Sequence, residues 1–79
     1  MQKSVHSAEQ SAFRGLMAQA RQNAGLTQQE LAKRLRKPQS FIAKYEGGER
    51  RLDVVEFIAI ARAIGADPLR ILKSLIRKG

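Results

Sequence analysis

The sequence has no cysteine and no tryptophan, one histidine, one tyrosine and three phenylalanines in 79 residues. Without cysteine there is no disulfide and no thiolate metal site. The one histidine, His6, has no second ligand beside it and offers neither a metal site nor a base for a nucleophile. The aromatic residues Phe13, Phe41, Tyr45 and Phe57 mostly fall at positions that read as core. That leaves no platform of exposed rings for stacking the bases of RNA or of single strands. No apolar run approaches the ~20 residues that cross a bilayer. No N-terminal stretch has the apolar core of a signal peptide, so the chain is expected in the cytoplasm. Acids are also scarce. Seven Asp and Glu stand against fifteen Lys and Arg, a net charge of +8 and a pI near 10.9. That balance points to a polyanionic partner, nucleic acid first and an anionic membrane surface second.

What is present is helical punctuation. The composition is 43 % hydrophobic, enough for one core in one small domain. A chain of this size buries only about 60 % of its unfolded surface and gains from a partner subunit. Residues 1–7 read as a flexible N-terminal arm and 8–79 as the domain. Ser7 with Gln10 suits a capping box, and Phe13, Leu16, Met17, Ala20 and Ala24 then recur at helical spacing. Gly25 ends that helix. Thr27 with Glu30 is a second capping box, followed by Leu31, Ala32 and Leu35. Lys37 precedes Pro38 and should be extended, while Pro38 suits the first turn of a new helix. Gly47 and Gly48 break that helix. Leu52 and Phe57 make a hydrophobic staple around an Asp53 cap, with Glu56 completing a box. Val54, Phe57, Ile58, Ala61 and Ile64 form the next buried stripe, which Gly65 ends. Asp67 and Pro68 open a last helix. No strand pattern or repeat appears, so the expected fold is all-α, with five helices.

The stretch 26–46, LTQQELAKRLRKPQSFIAKYE, organises the rest. On its second helix Ile42 and Tyr45 face one way, and Gln39, Ser40, Ala43 and Lys44 face the other. Polar groups on a short basic helix, braced by a capped neighbour, are what reading a major groove requires. Gln39 can pair bidentately with adenine, Lys44 can reach guanine O6 or N7, and Ser40 can serve a base or a phosphate. Phe41, at the edge of this surface, either touches a thymine methyl or packs on the preceding helix, and we favour packing. Gln28 at a helix N-terminus, with Lys37, Arg50 and Arg51, are the candidate phosphate contacts, and Arg36 is a lesser one.

This stretch resembles the helix-turn-helix of the phage-repressor and Cro-type, or xenobiotic-response-element, family. The matching residues are Gly25-Leu26-Thr27-Gln28-Gln29-Glu30-Leu31-Ala32, then Gln39-Ser40 with Ile42, then Tyr45-Glu46 with Gly48-Glu49-Arg50. Ile60 to Gly65 and Asp67-Pro68 extend the likeness, which covers roughly residues 9 to 75. The resemblance implies a five-helix bundle that binds double-stranded DNA as a transcriptional regulator. It also implies an ion pair between Arg21 and Glu46. It further implies a two-fold homodimer reading palindromic half-sites. The family has glycine where this chain has Arg36. An arginine at φ > 0 costs about 1 kcal/mol or more, so either the turn differs or it is strained.

In the last helix Leu69, Leu72 and Ile76 share one face, with Ile71 and Leu75 beside it. Five large aliphatics in eight residues exceed what a terminal helix needs for its own core. Leu72, Leu75 and Ile76 are therefore the expected dimer contacts. The alternatives are that they close the core of a monomer, or that the helix is a basic amphipathic one at a membrane surface. An enzyme is not expected, because Glu30, Asp53, Glu56 and Asp67 are accounted for as helix-start residues. No cofactor, metal or small-molecule ligand is evident. A protein-interaction module remains the alternative, such as an antitoxin that binds a toxin and its own promoter. A restriction–modification controller suits the short length better.

Overall fold

The computed structural model describes residues 7–78. Five helices run in chain order: α1 (Ala8–Asn23), α2 (Gln28–Leu35), α3 (Gln39–Gly47), α4 (Val54–Ile64) and α5 (Pro68–Lys78). The described residues contain no strand, and the fold is all-α. Local chemistry sets the helix starts. Ser7 Oγ accepts the Gln10 N–H at 3.0 Å. Thr27 Oγ1 accepts the Glu30 N–H at 3.0 Å, and Glu30 Oε1 accepts the Thr27 N–H at 2.8 Å. That backbone bond holds the Glu30 carboxyl below its usual range. Asp53 and Glu56 form the same reciprocal box at 2.7 and 3.0 Å. Asp67 Oδ1 accepts the Leu69 N–H across Pro68. Each acceptor satisfies a donor that the first helical turn leaves without a partner.

The helix ends share one geometry. After α4, the Ala66 N–H reaches back to the Ala61 carbonyl and the Gly65 N–H to Arg62, with Gly65 at φ 86°. After α2, the Lys37 N–H reaches Ala32 at 3.0 Å and the Arg36 N–H reaches Lys33 at 3.1 Å. This is the Schellman closure, and it needs a left-handed residue. Here that residue is Arg36, at φ 57° and ψ 43°. The turn thus keeps the geometry that glycine serves, with arginine under the strain. Arg36 is the one non-glycine residue with positive φ among the described residues. Pro38 stands one residue before α3 rather than inside it, extended at ψ 153°.

α2 and α3 pack on each other, and α1 lies against α3, α4 and α5. The core holds Met17, Leu31, Ala32, Ile42, Tyr45, Phe57, Ile60, Ala61, Ile64 and Ile71. Phe13 meets Phe57 edge-on at 5.5 Å. Three stripe positions differ from expectation. Ala24 caps α1 and is exposed. Val54 is 70 % exposed and lines a surface groove instead of the core. Ile60, left out of the expected stripe, is buried, since the seam of α4 runs through 57, 60, 61 and 64. On α5, Ile71 points into the core while Leu69 and Ile76 are 67 % and 75 % exposed. Two adjacent stripes therefore divide the aliphatics of α5 between core and surface. The expected arm over 1–7 lies outside the described residues except for Ser7, as does His6.

Candidate nucleic-acid interface

α3 turns Ile42 and Tyr45 wholly into the core. A helix anchored so on one face must present the other, and Gln39, Ser40, Ala43 and Lys44 are all exposed. The capped α2 supports it from behind. Burial pushes the Tyr45 hydroxyl above its ordinary range, so it stays neutral.

A chain of polar contacts joins α1 to the start of α3. Arg21 Nε donates to Glu46 Oε2 at 2.8 Å, and Arg21 Nη2 donates to Oε1 at 3.0 Å. Arg21 Nη1 also donates to the Leu26 carbonyl at 2.8 Å. The pair is well shielded, with side chains 11 % and 8 % exposed. The hydrogen bond to Glu46 holds the Arg21 guanidinium above its usual range. Gln28 Nε2 donates to the same Glu46 Oε1 at 3.0 Å. Gln28 Oε1 then accepts from Gln39 Nε2 at 3.4 Å. A fixed carboxylate thus orients the Gln28 amide, which in turn faces the Gln39 amide. The Gln28 side chain is therefore engaged within the protein, and its backbone N–H at the start of α2 is what remains for an anion.

A second cluster sits at the other edge of α3. The Arg50 guanidinium lies 4.8 Å from the centre of the Phe41 ring, and Lys37 Nζ lies 5.2 Å from it. Arg50 Nη1 donates to Glu56 Oε1 at 2.9 Å and to the Arg51 carbonyl at 2.8 Å, and Nη2 donates to Glu56 Oε2 at 2.7 Å. The Arg50 bonds, the Asp53 N–H and the nearby Lys37 charge lower the Glu56 carboxyl to about 2. Sequence reasoning treated Glu56 as a cap alone and missed its bond to Arg50. Nothing in a single sequence links those two residues across the loop. It also missed the bond between Gln28 and Glu46, which are 18 positions apart.

The structure thus gathers Gln28, Gln39 and Glu46 in one chain of contacts and Lys37 with Arg50 on one ring. Ser40 and Lys44 lie exposed between them. Arg51 lies instead along a groove of about 360 Å³ between α1, α4 and α5, with Glu9, Phe13, Asp53 and Leu72. Leu75 lines this groove too, half-buried, and Leu72 is 37 % exposed. No group of His, Asp and Glu suited to a metal is found among the described residues. Among them no helix is long and apolar enough to cross a membrane.

Comparison with known proteins agrees with this geometry. A helix-turn-helix family model matches residues 17–71. An XRE-family like protein from Pseudomonas syringae pv. tomato str. DC3000 is 49 % identical, with a TM-score of 0.87 over 94 % of this chain and 90 % of that one. A mutant of the restriction-modification controller protein C.Esp1396I shares the fold at 22 % identity, with a TM-score of 0.81 over 91 % of each chain. No curated protein matches the chain. The chain belongs to the XRE family of helix-turn-helix proteins, a family of DNA-binding transcriptional regulators.

Proposed function

We propose that this protein binds specific sequences of double-stranded DNA as a small single-domain transcriptional regulator, with α3 in the major groove. The observation that carries this is the two-sidedness of α3. Its apolar face is locked into the core, and Gln39, Ser40 and Lys44 are exposed on the opposite face, with the Gln39 amide oriented by Gln28. These three read base edges, Gln39 on adenine and Lys44 on guanine. Lys37, Arg50 and the Gln28 backbone N–H hold phosphates and set the register, while Arg51, which lies along the groove between α1, α4 and α5, is not among these contacts. Among the described residues Arg50 uses three of its five N–H donors, which leaves two for a phosphate.

The protein acts as a homodimer. One recognition helix reads only a few base pairs. Two of them, about 34–36 Å apart, read a palindrome whose half-sites lie one helical turn from centre to centre. Exposed Leu72 and Ile76, with half-buried Leu75 beside them, supply the material for a self-complementary contact.

Selection of bound duplexes from a random-sequence pool tests the reading and reports half-site and spacing together. Gln39→Ala should then cost about 1–3 kcal/mol on the selected site and relax preference at one position. Equal loss on every sequence would remove Gln39 from the bases, and a pool with no enriched sequence would refute specific binding.

A further inference from the structure

The position of Phe41 between packing and reading has a consequence for specificity. It is the third residue of α3, in the turn of a recognition helix that approaches base edges. It is half-buried, so part of its ring is left at the surface beside Ser40 and Lys44, both exposed. It is the one large apolar side chain in that turn that is not enclosed by the core. The major groove carries one apolar mark, the thymine 5-methyl group.

The ring is also held. Tyr45 meets it edge-on, at 5.6 Å and 69°. Arg50 and Lys37 stand over it at 4.8 and 5.2 Å. Two cations gathered at one ring repel each other, and the carboxylate of Glu56 offsets this by pairing with Arg50 through both oxygens. The same carboxylate is tied to the Asp53 N–H, so the brace is anchored to the start of α4. A side chain that must report one methyl group needs such an anchored setting.

We propose that Phe41 is a specificity-determining residue that reads a thymine 5-methyl group, and that Arg50, held by Glu56, is the positioning residue that sets its ring. This rests on the DNA-reading function above. Deoxyuridine lacks only that methyl group, which makes it the probe. Replacing each thymine of the selected half-site in turn by deoxyuridine should weaken binding about four-fold at one position, the transfer value of one methyl group. Phe41→Ala should abolish the difference between thymine and uracil at that position, and Phe41→Leu, which keeps more of the packing, should reduce it. Glu56→Gln preserves the cap but drops the charge. It should bring the four-fold ratio below two-fold, as should Arg50→Ala. A residue that merely supports the fold would shift affinity for both duplexes equally and leave the ratio alone.

A selected site with no methyl-sensitive thymine overturns the inference while leaving sequence-specific binding intact. Failure to select any sequence overturns the function on which it rests. An unchanged ratio in Phe41→Leu and Phe41→Ala overturns the reading role. An unchanged ratio in Arg50→Ala, with the salt slope falling by about 1, makes Arg50 a phosphate contact only and overturns the brace.

Discussion

Arg36→Gly should stabilise this protein. An L-residue in the left-handed region costs about 1–2 kcal/mol, because its Cβ crowds the carbonyl oxygen. Arg36 sits there, at φ 57° and ψ 43°. Glycine removes that cost but orders more backbone on folding, which takes back about 0.5–1 kcal/mol. The net gain centres on about 0.75 kcal/mol, within about 0–1.5, and for a domain of this length the central value raises Tm by roughly 3–6 °C. No side-chain hydrogen bond or ion pair of Arg36 within the described residues opposes the change, and the residue is exposed. The Schellman bonds of Lys37 and Arg36 are made by backbone and survive it. Thermal unfolding of wild type, Arg36→Gly and Arg36→Ala, followed by circular dichroism, is the assay. Alanine keeps the Cβ, so it should not reproduce the gain. Equal gains for alanine and glycine would refute the reasoning and place the strain in the arginine side chain. A loss for glycine would mean that the turn is not left-handed in solution. Arg36→Ala also removes the charge, so an unchanged salt slope of DNA binding would exclude a phosphate role.

Glu46→Gln strips Arg21 of its carboxylate in a site where both side chains are about nine-tenths shielded. Urea titration should register a loss of about 3 kcal/mol, and a loss under about 1 kcal/mol would identify the pair as a solvated one. Acid exposes the Arg50 brace. The Glu56 carboxyl lies at about 2, below its usual 4.5, so its contribution is fully present above pH 4.5 and is lost as pH falls toward 2. Glu56→Gln should flatten the stability profile across that window, and an identical acid limb in the mutant contradicts the depressed value. Sedimentation at micromolar concentration should show a dimer that Leu75→Glu or Ile76→Glu converts to a folded monomer. If both variants remain dimeric, the contact lies elsewhere.

Much of the fold was legible because its signals are local. The boxes at Thr27 with Glu30 and at Asp53 with Glu56 join residues three apart, and any helix starting there would use them. At Arg36 the sequence left two outcomes open, a different turn or a strained one, and the left-handed backbone of Arg36 decides for strain. The polar face of α3 followed from helical periodicity alone. Val54 and Ile60 were not legible, because the helical period allows more than one buried stripe and the packing of neighbouring helices selects among them.

The sequence by itself thus determined the number of helices, where they begin to within one residue at Pro38, and which residues of α3 face away from the core. Capping, prolyl geometry and periodicity act within a few residues of one another. Only the tertiary structure decided what those outward residues lean on. Gln28 reaches Glu46 across two helices, and Arg50 reaches Glu56 over a loop while resting on Phe41. Such contacts depend on how the helices cross, which is set by the burial of Met17, Leu31, Ile42, Tyr45 and Ile60 together. Hydrophobic burial has no direction of its own, so the pairing of polar groups at the core's edge is a result of packing and not of local spacing.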